Sequence, residues 1–223
     1  MTSTAPSSSS TPTPGNWRII ETEADVAEGA AWLAREDPRL AAALARTGTP
    51  PLRRRPDGYA ALLGAIVSQQ VSVASANAIV ARCEAGGLCD PAIVRAASDD
   101  DMRACGLSRQ KIRYIRSLAE ARIDFDALRH APTDEVIATL TQVAGVGRWT
   151  AEIYAMFSLG HADVFAPNDL ALQEAARDIL NLPERPKEKE LRALAEAWAP
   201  WRAVAARLLF AYYALMKKRE GIR

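Results

Sequence analysis

Between Leu140 and Asp169 the chain reads LTQVAGVGRWTAEIYAMFSLGHADVFAPND, two helical patterns divided by a Gly-Val-Gly turn, with Asp169 twenty-two residues past Gly147. Gly145 and Gly147 lack a Cβ, so the turn predicts left-handed backbone and close approach to a partner. Upstream, Pro132, Thr133, Asp134 and Glu135 supply an early proline, a capping hydroxyl and first-turn acids, and Val136, Ile137, Leu140 and Val143 follow at helical spacing. Downstream, Thr150, Ala151, Ile153, Tyr154 and the run from Met156 to Leu159 continue a second helix. Its first amides, around Gly147 to Trp149, have no intrahelical acceptor and suit a phosphate. A glycine turn between helices also serves plain helix packing, so its meaning depends on what surrounds it.

Helical periodicity runs through almost the whole chain. It predicts helices near residues 23–36, 38–46, 57–68, 72–84, 91–97, 99–105, 109–122, 133–141, 148–159, 169–180, 187–198 and 201–218. Gly- and Pro-bearing loops at 47–56, 86–91 and 181–186 punctuate them, and no stretch reads as a sheet. With 223 residues and 49% hydrophobic content, the chain can bury one sizeable core or two small lobes that share a cleft. Residues 1–16 are rich in Ser, Thr and Pro and are expected to form a disordered tail, leaving 17–223 as the helical domain. The tail lacks the basic start and apolar run of a signal peptide, and no membrane span is legible, so a soluble intracellular protein is expected.

The net charge of +1 does not announce a nucleic-acid binder. Arg53 to Arg55 form a basic run, Arg109, Lys111, Arg113 and Arg116 recur along one helix, and Lys217, Lys218, Arg219 and Arg223 crowd the end. Solvated helix faces account for such clusters, and backbone amides gripping phosphate would need little side-chain charge. Cys83, Cys89 and Cys105 are too few for a four-thiolate iron–sulfur cluster, and His130 and His161 are not spaced against a cysteine pair as in a zinc site.

The pattern LxxVxGVGxWTA followed by DVFxPxD resembles the helix-hairpin-helix DNA glycosylase superfamily, and within it the 3-methyladenine DNA glycosylase II family. Three more segments fit: IVSQQVSVASANAIV from Ile66, GLSRQKIRYIRSLAEA from Gly106 and WAPWRAVAARLLFAYYAL from Trp198. Together the matches span residues 37–216. Ala144 stands where that family usually has proline, and Asn168 where many members have a second aspartate. The resemblance implies an all-α, two-lobed fold without an amino-terminal β domain. The middle lobe would cover about residues 55–165, and 17–54 would join 166–223 in the second, with the active cleft between them.

The implied activity is excision of alkylated purines, of the 3-methyladenine and 7-methylguanine type, from damaged double-stranded DNA. Asp169 would be the catalytic acid that stabilises positive charge developing on the sugar and orients a water. Asn168 is expected to cap the following helix, with Asp169 in its first turn, and nearby Asp163 is read as a structural partner. Bifunctional members carry a lysine nucleophile where this chain has Trp149, and a guanidinium at Arg148 cannot replace it, so an intact abasic site is expected. A cationic leaving base needs an aromatic pocket, for which Trp149 and Trp201 are candidate walls with Tyr154 and Trp198 behind.

Gly145, Val146, Gly147, Arg148 and Thr150 would hold the DNA backbone, Gln70 would fill the gap left by flipping, Ser72 would cap the next helix, and Lys111 would add a phosphate contact. The resemblance also implies Na⁺ or K⁺ on the backbone carbonyls of Thr141, Val143 and Val146, with no other cofactor and no iron–sulfur cluster. A monomer, cytoplasmic and bound to the nucleoid through DNA, with no membrane partner, completes the expectation. Two other readings stay open at this point: a non-catalytic helix-hairpin-helix clamp, and a glycosylase for deaminated or etheno bases.

Overall fold

Short polar side chains placed just ahead of apolar runs decide where the helices begin. Thr22 opens α1 (Glu23–Glu36) through a reciprocal box with Asp25, whose carboxyl is held down to about 2 chiefly by the Thr22 hydroxyl. Asp37 with Pro38 behind it starts α2 (Pro38–Thr47), which stops at Gly48. The same grammar sets α4 (Val73–Ala85) on Ser72, α5 (Pro91–Ala96) on Asp90, α6 (Asp99–Ala104) on Ser98 and α7 (Arg109–Glu120) on Ser108. Before them lies α3 (Tyr59–Val67), buried through Leu62, Leu63, Ile66 and Val67. A five-residue helix, α8 (Phe125–Arg129), escapes periodicity because it is barely more than one turn, although Asp124 caps it.

The remaining helices are α9 (Thr133–Thr141), α10 (Arg148–Tyr154), α11 (Leu170–Ile179), α12 (Glu188–Leu194) and α13 (Arg202–Arg219). This computed structural model describes residues 18–219; the tail expected at 1–16 lies outside them. Among the described residues there is no strand, only an isolated antiparallel bridge between Ile19 and His161. No described helix is long and apolar enough to cross a membrane.

Two expectations about α9 and α10 change. Thr133 does not cap α9: Pro132 holds the cap position without a side-chain bond, and the Thr133 hydroxyl instead meets Nδ1 of buried His161 at 2.8 Å. The second hairpin helix does not run evenly to 159 but passes into a π turn, Ala155–Leu159, ended by Gly160 at φ 81°. A π turn widens the helix by one residue and re-aims the chain that follows.

Packing gathers the helices into three sets: α3 to α7; α9 and α10 with the π turn; and α1, α2, α11, α12 and α13. Buried Arg207 of α13 joins them, donating to the carbonyls of Ala203 at 2.9 Å, Leu52 at 3.0 Å and Met156 at 3.1 Å. Burial lowers its guanidinium to about 10, yet three carbonyl acceptors satisfy the fork where no water could. The π turn and the loop ahead of α3 are thereby fixed to the long carboxy-terminal helix.

Candidate active site

The turn between α9 and α10 is gripped from two sides. The amide of Ala144 donates to the Ser117 hydroxyl of α7 at 3.0 Å, and the Gln69 side-chain amide donates to the Gly145 carbonyl at 2.9 Å. Gly145 sits at φ 87°, and a Cβ there would lie 2.3 Å from the Tyr114 ring. Its glycine is required twice over, by backbone angle and by space. Gly147 differs from the sequence expectation: its φ of −81° and ψ of 168° suit any residue, and nothing in the protein stands within 4 Å of a built Cβ. Val146 is buried, so its role in this turn is packing plus its backbone groups.

Arg148 leaves the turn for its own helix, donating through Nε to Oε1 of Glu152 at 2.9 Å, while Arg192 of α12 reaches the same oxygen at 3.0 Å. Glu152 is buried, and burial pushes its carboxyl up against the opposing pull of the two arginines. The exposed half of Arg148 stays at the turn's surface.

The helix cap at the site falls one residue later than expected. Asp169, not Asn168, is the cap of α11: Oδ1 accepts from the amides of Ala171 at 2.9 Å and Leu172 at 3.4 Å. Oδ2 accepts the Trp149 indole N–H at 3.0 Å. The loop that delivers this carboxylate is fixed by a buried bond from Gln173 Nε2 to the Pro167 carbonyl at 2.8 Å. Asp163 is committed elsewhere, paired through both oxygens with Arg202 at 2.5 and 2.9 Å, as the structural reading expected.

Trp149, Thr150 and Tyr154 line a cavity of about 840 Å³, faced by Ser68, Gln69 and Gln70 from the turn after α3. Its lining comes from α3 and the turns at its two ends, from α4, and from α10 with the π turn, and Asp169 ahead of α11 reaches Trp149 from outside that lining. Tyr154 accepts the Gly58 amide at 2.7 Å, and burial pushes its phenol to about 12, leaving a neutral O–H donor at the wall. Gln70 takes φ 57°, a strained angle for a side-chain-bearing residue, on the exposed turn. Ser72 caps α4 through the Ser75 amide at 3.2 Å.

Three of the expected residues do not line this cavity. Trp201 is 4% exposed and packs against Gly29 with the Arg18 guanidinium 4.3 Å above its ring; it lines a separate cavity of about 510 Å³ with Asp163 and Arg202. Trp198 is likewise buried, edge-on to Phe165. Lys111 lies outside the cavity lining and donates to the Val67 carbonyl at 2.7 Å, tying α7 to the end of α3. Sequence reasoning missed Gln69, Ser117 and Tyr114, whose side chains reach the turn from elsewhere in the chain and carry no local signal. The basic run does contain one cavity residue, Arg55.

The Thr141, Val143 and Val146 carbonyls all belong to this turn, and Val143 also accepts the Val146 amide at 3.0 Å. Three neutral oxygens fit a hard monovalent cation by donor chemistry.

The geometry defines a helix-hairpin-helix protein. The chain belongs to the HhH-GPD superfamily of base excision DNA repair proteins, whose family model matches residues 63–200. It is similar to DNA-3-methyladenine glycosylase 1 of Schizosaccharomyces pombe, 35% identical over 157 residues, covering 66% of this chain and 69% of that protein. In three dimensions it is similar to a DNA-3-methyladenine glycosidase from Bacillus halodurans, with TM-score 0.78, 32% identity and coverage of 91% and 94% of the two chains. The S. pombe 3-methyladenine DNA glycosylase in complex with abasic DNA matches with TM-score 0.69 and 31% identity, over 82% of this chain and 95% of the other.

Proposed function

We propose that this protein is a monofunctional DNA glycosylase that excises alkylated purines from duplex DNA in base excision repair. The observation that carries the reading is the Asp169 carboxylate, bonded to the Trp149 indole at the edge of the aromatic cavity. A carboxylate has roughly four lone-pair sites. Two amides and the indole use three, leaving one oxygen lobe for the reacting sugar or a water.

In this mechanism the turn amides of Gly145, Gly147 and Arg148, with Thr150, hold the backbone beside the lesion, and Gly147 lets a phosphate come close because its face is open. The damaged nucleotide swings out, Gln70 fills its place in the stack, and the base enters the cavity against Trp149, whose electron-rich face favours an electron-poor ring. As the C1′–N bond lengthens, positive charge grows on the sugar and Asp169 stabilises it. The alkylated base leaves with the bonding electrons, water adds at C1′, and Asp169 takes the water's proton. Trp149 offers no amine, so no Schiff base forms and the strand stays whole. A Na⁺ or K⁺ ion on the Thr141, Val143 and Val146 carbonyls would add positive charge at the phosphate; replacing both ions by a bulky organic cation should then weaken DNA binding.

The test is to incubate purified protein with methylated duplex DNA, identify released bases by chromatography and examine the strands before and after alkali. Free 3-methyladenine or 7-methylguanine, with breaks appearing only after alkali, supports the reading. DNA binding without base release would replace it with a non-catalytic clamp.

A further inference from the structure

The basic run at residues 53–55 places one arginine in the cavity. Arg55 is bonded through its backbone N–H to the Phe157 carbonyl at 2.9 Å, and its guanidinium lies 5.3 Å from the Phe157 ring centroid. Both contacts fix it to the π turn, beside Tyr154 and Ser158, which line the same cavity. Among the described residues no carboxylate is within ion-pairing distance of it, and Glu84, which also lines the cavity, does not reach it. Its five N–H donors are therefore left to whatever enters.

The two ends of the cavity are chemically different. Trp149 stands at one end, bonded through its indole to Asp169 just outside the lining, and nine residues of helix and π turn, on the order of 13 Å, separate Trp149 from Ser158. A purine whose glycosidic bond faces Asp169 points its six-membered ring away from that carboxylate, toward Tyr154, Ser158 and Arg55. That end offers donors: the guanidinium and the neutral Tyr154 hydroxyl, which already accepts from Gly58 and so has its proton to give.

Resting on the alkylpurine reading above, we infer that Arg55 is a specificity-determining residue that favours damaged purines with a 6-oxo edge over those with a 6-amino edge. A 6-oxo group accepts from the guanidinium, whereas a 6-amino group presents hydrogens to hydrogens. 7-Methylguanine and 3-methyladenine both carry a positive ring in DNA, so their repulsion from Arg55 largely cancels in a ratio and the edge remains. The guanidinium need not touch the reacting bond, and it acts on which base is held.

Both bases come from one methylated DNA sample, so their release ratio is an internal control for folding and DNA binding. Arg55→Gln should lower the ratio of 7-methylguanine to 3-methyladenine release rates about tenfold, the cost of one charge-assisted hydrogen bond, and Arg55→Lys should fall between, keeping charge without the fork. An unchanged ratio in Arg55→Gln, with both bases still released by the wild type, overturns this inference alone. Release of neither base by the wild type overturns it together with the activity on which it rests.

Discussion

Asp169 carries two duties, capping α11 and facing the reaction, and one substitution can separate them. Asparagine caps a helix as well as aspartate does, so Asp169→Asn should keep the Ala171 and Leu172 bonds and the fold. It puts an N–H₂ group toward the Trp149 indole N–H and removes the charge. Base release should fall at least ~100-fold while duplex binding persists, read by single-turnover release beside fluorescence anisotropy. Trp149→Phe asks a narrower question, because the ring face stays and only the donor to Oδ2 is lost. Base release should slow by roughly tenfold through loss of one bond to a charged acceptor, with little change in affinity for abasic DNA. An equal loss of affinity and rate would make Trp149 a binding wall and nothing more.

At the level of elements, the hairpin turn separates its two glycines. Gly145→Ala puts a methyl at φ 87° into the Tyr114 ring, and the turn must shift; a cost of about 1–3 kcal/mol should lower Tm by several degrees. Gly147→Ala meets nothing within the protein at an ordinary φ, so Tm should stay within about a degree, while DNA affinity falls if a phosphate packs there. Thermal unfolding and anisotropy on both variants separate the roles, and a Gly147→Ala protein that binds as wild type would remove Gly147 from the interface. From sequence the two glycines look alike, since φ and the reach of Tyr114 are set by α7, more than thirty residues upstream. The helices themselves were legible because caps and periodicity are local: Ser72, Asp90, Ser98 and Ser108 each stand where the chain turns helical. What was not legible is long-range. Trp201 reads like Trp149, yet Gly29 leaves space for its indole in the core, and Lys111 reads like a phosphate ligand, yet it also ties α7 to the end of α3.

Across the whole molecule, His161 sits where the π turn, α9, the start of α13 and the amino-terminal segment meet. Its amide donates to Ala155 at the π turn, its ring meets Thr133 at the start of α9, and neighbouring Ala162 bonds both Arg18 and Ala203 at the start of α13. Burial first, and then the charge of Arg54, lower its pKa to about 4. An unfolded histidine takes its proton near 6.5. Between those values the unfolded chain binds a proton that the native chain does not, so stability is present in full above pH 6.5 and is lost as pH falls toward 4. The loss from this one group is about 3 kcal/mol at the lower end. Asp25, lowered to about 2, acts in the same sense but only below its own unfolded value near 3.8, and Glu152, raised by burial, acts oppositely. Comparing wild type with His161→Gln therefore isolates the histidine. Urea unfolding at pH 7, 5.5 and 4 should show the wild type losing stability relative to the variant as pH drops, even if the variant is the weaker of the two at pH 7. Parallel curves would mean that His161 protonates in the folded state without resistance, and that its surroundings are more open to water than its burial implies.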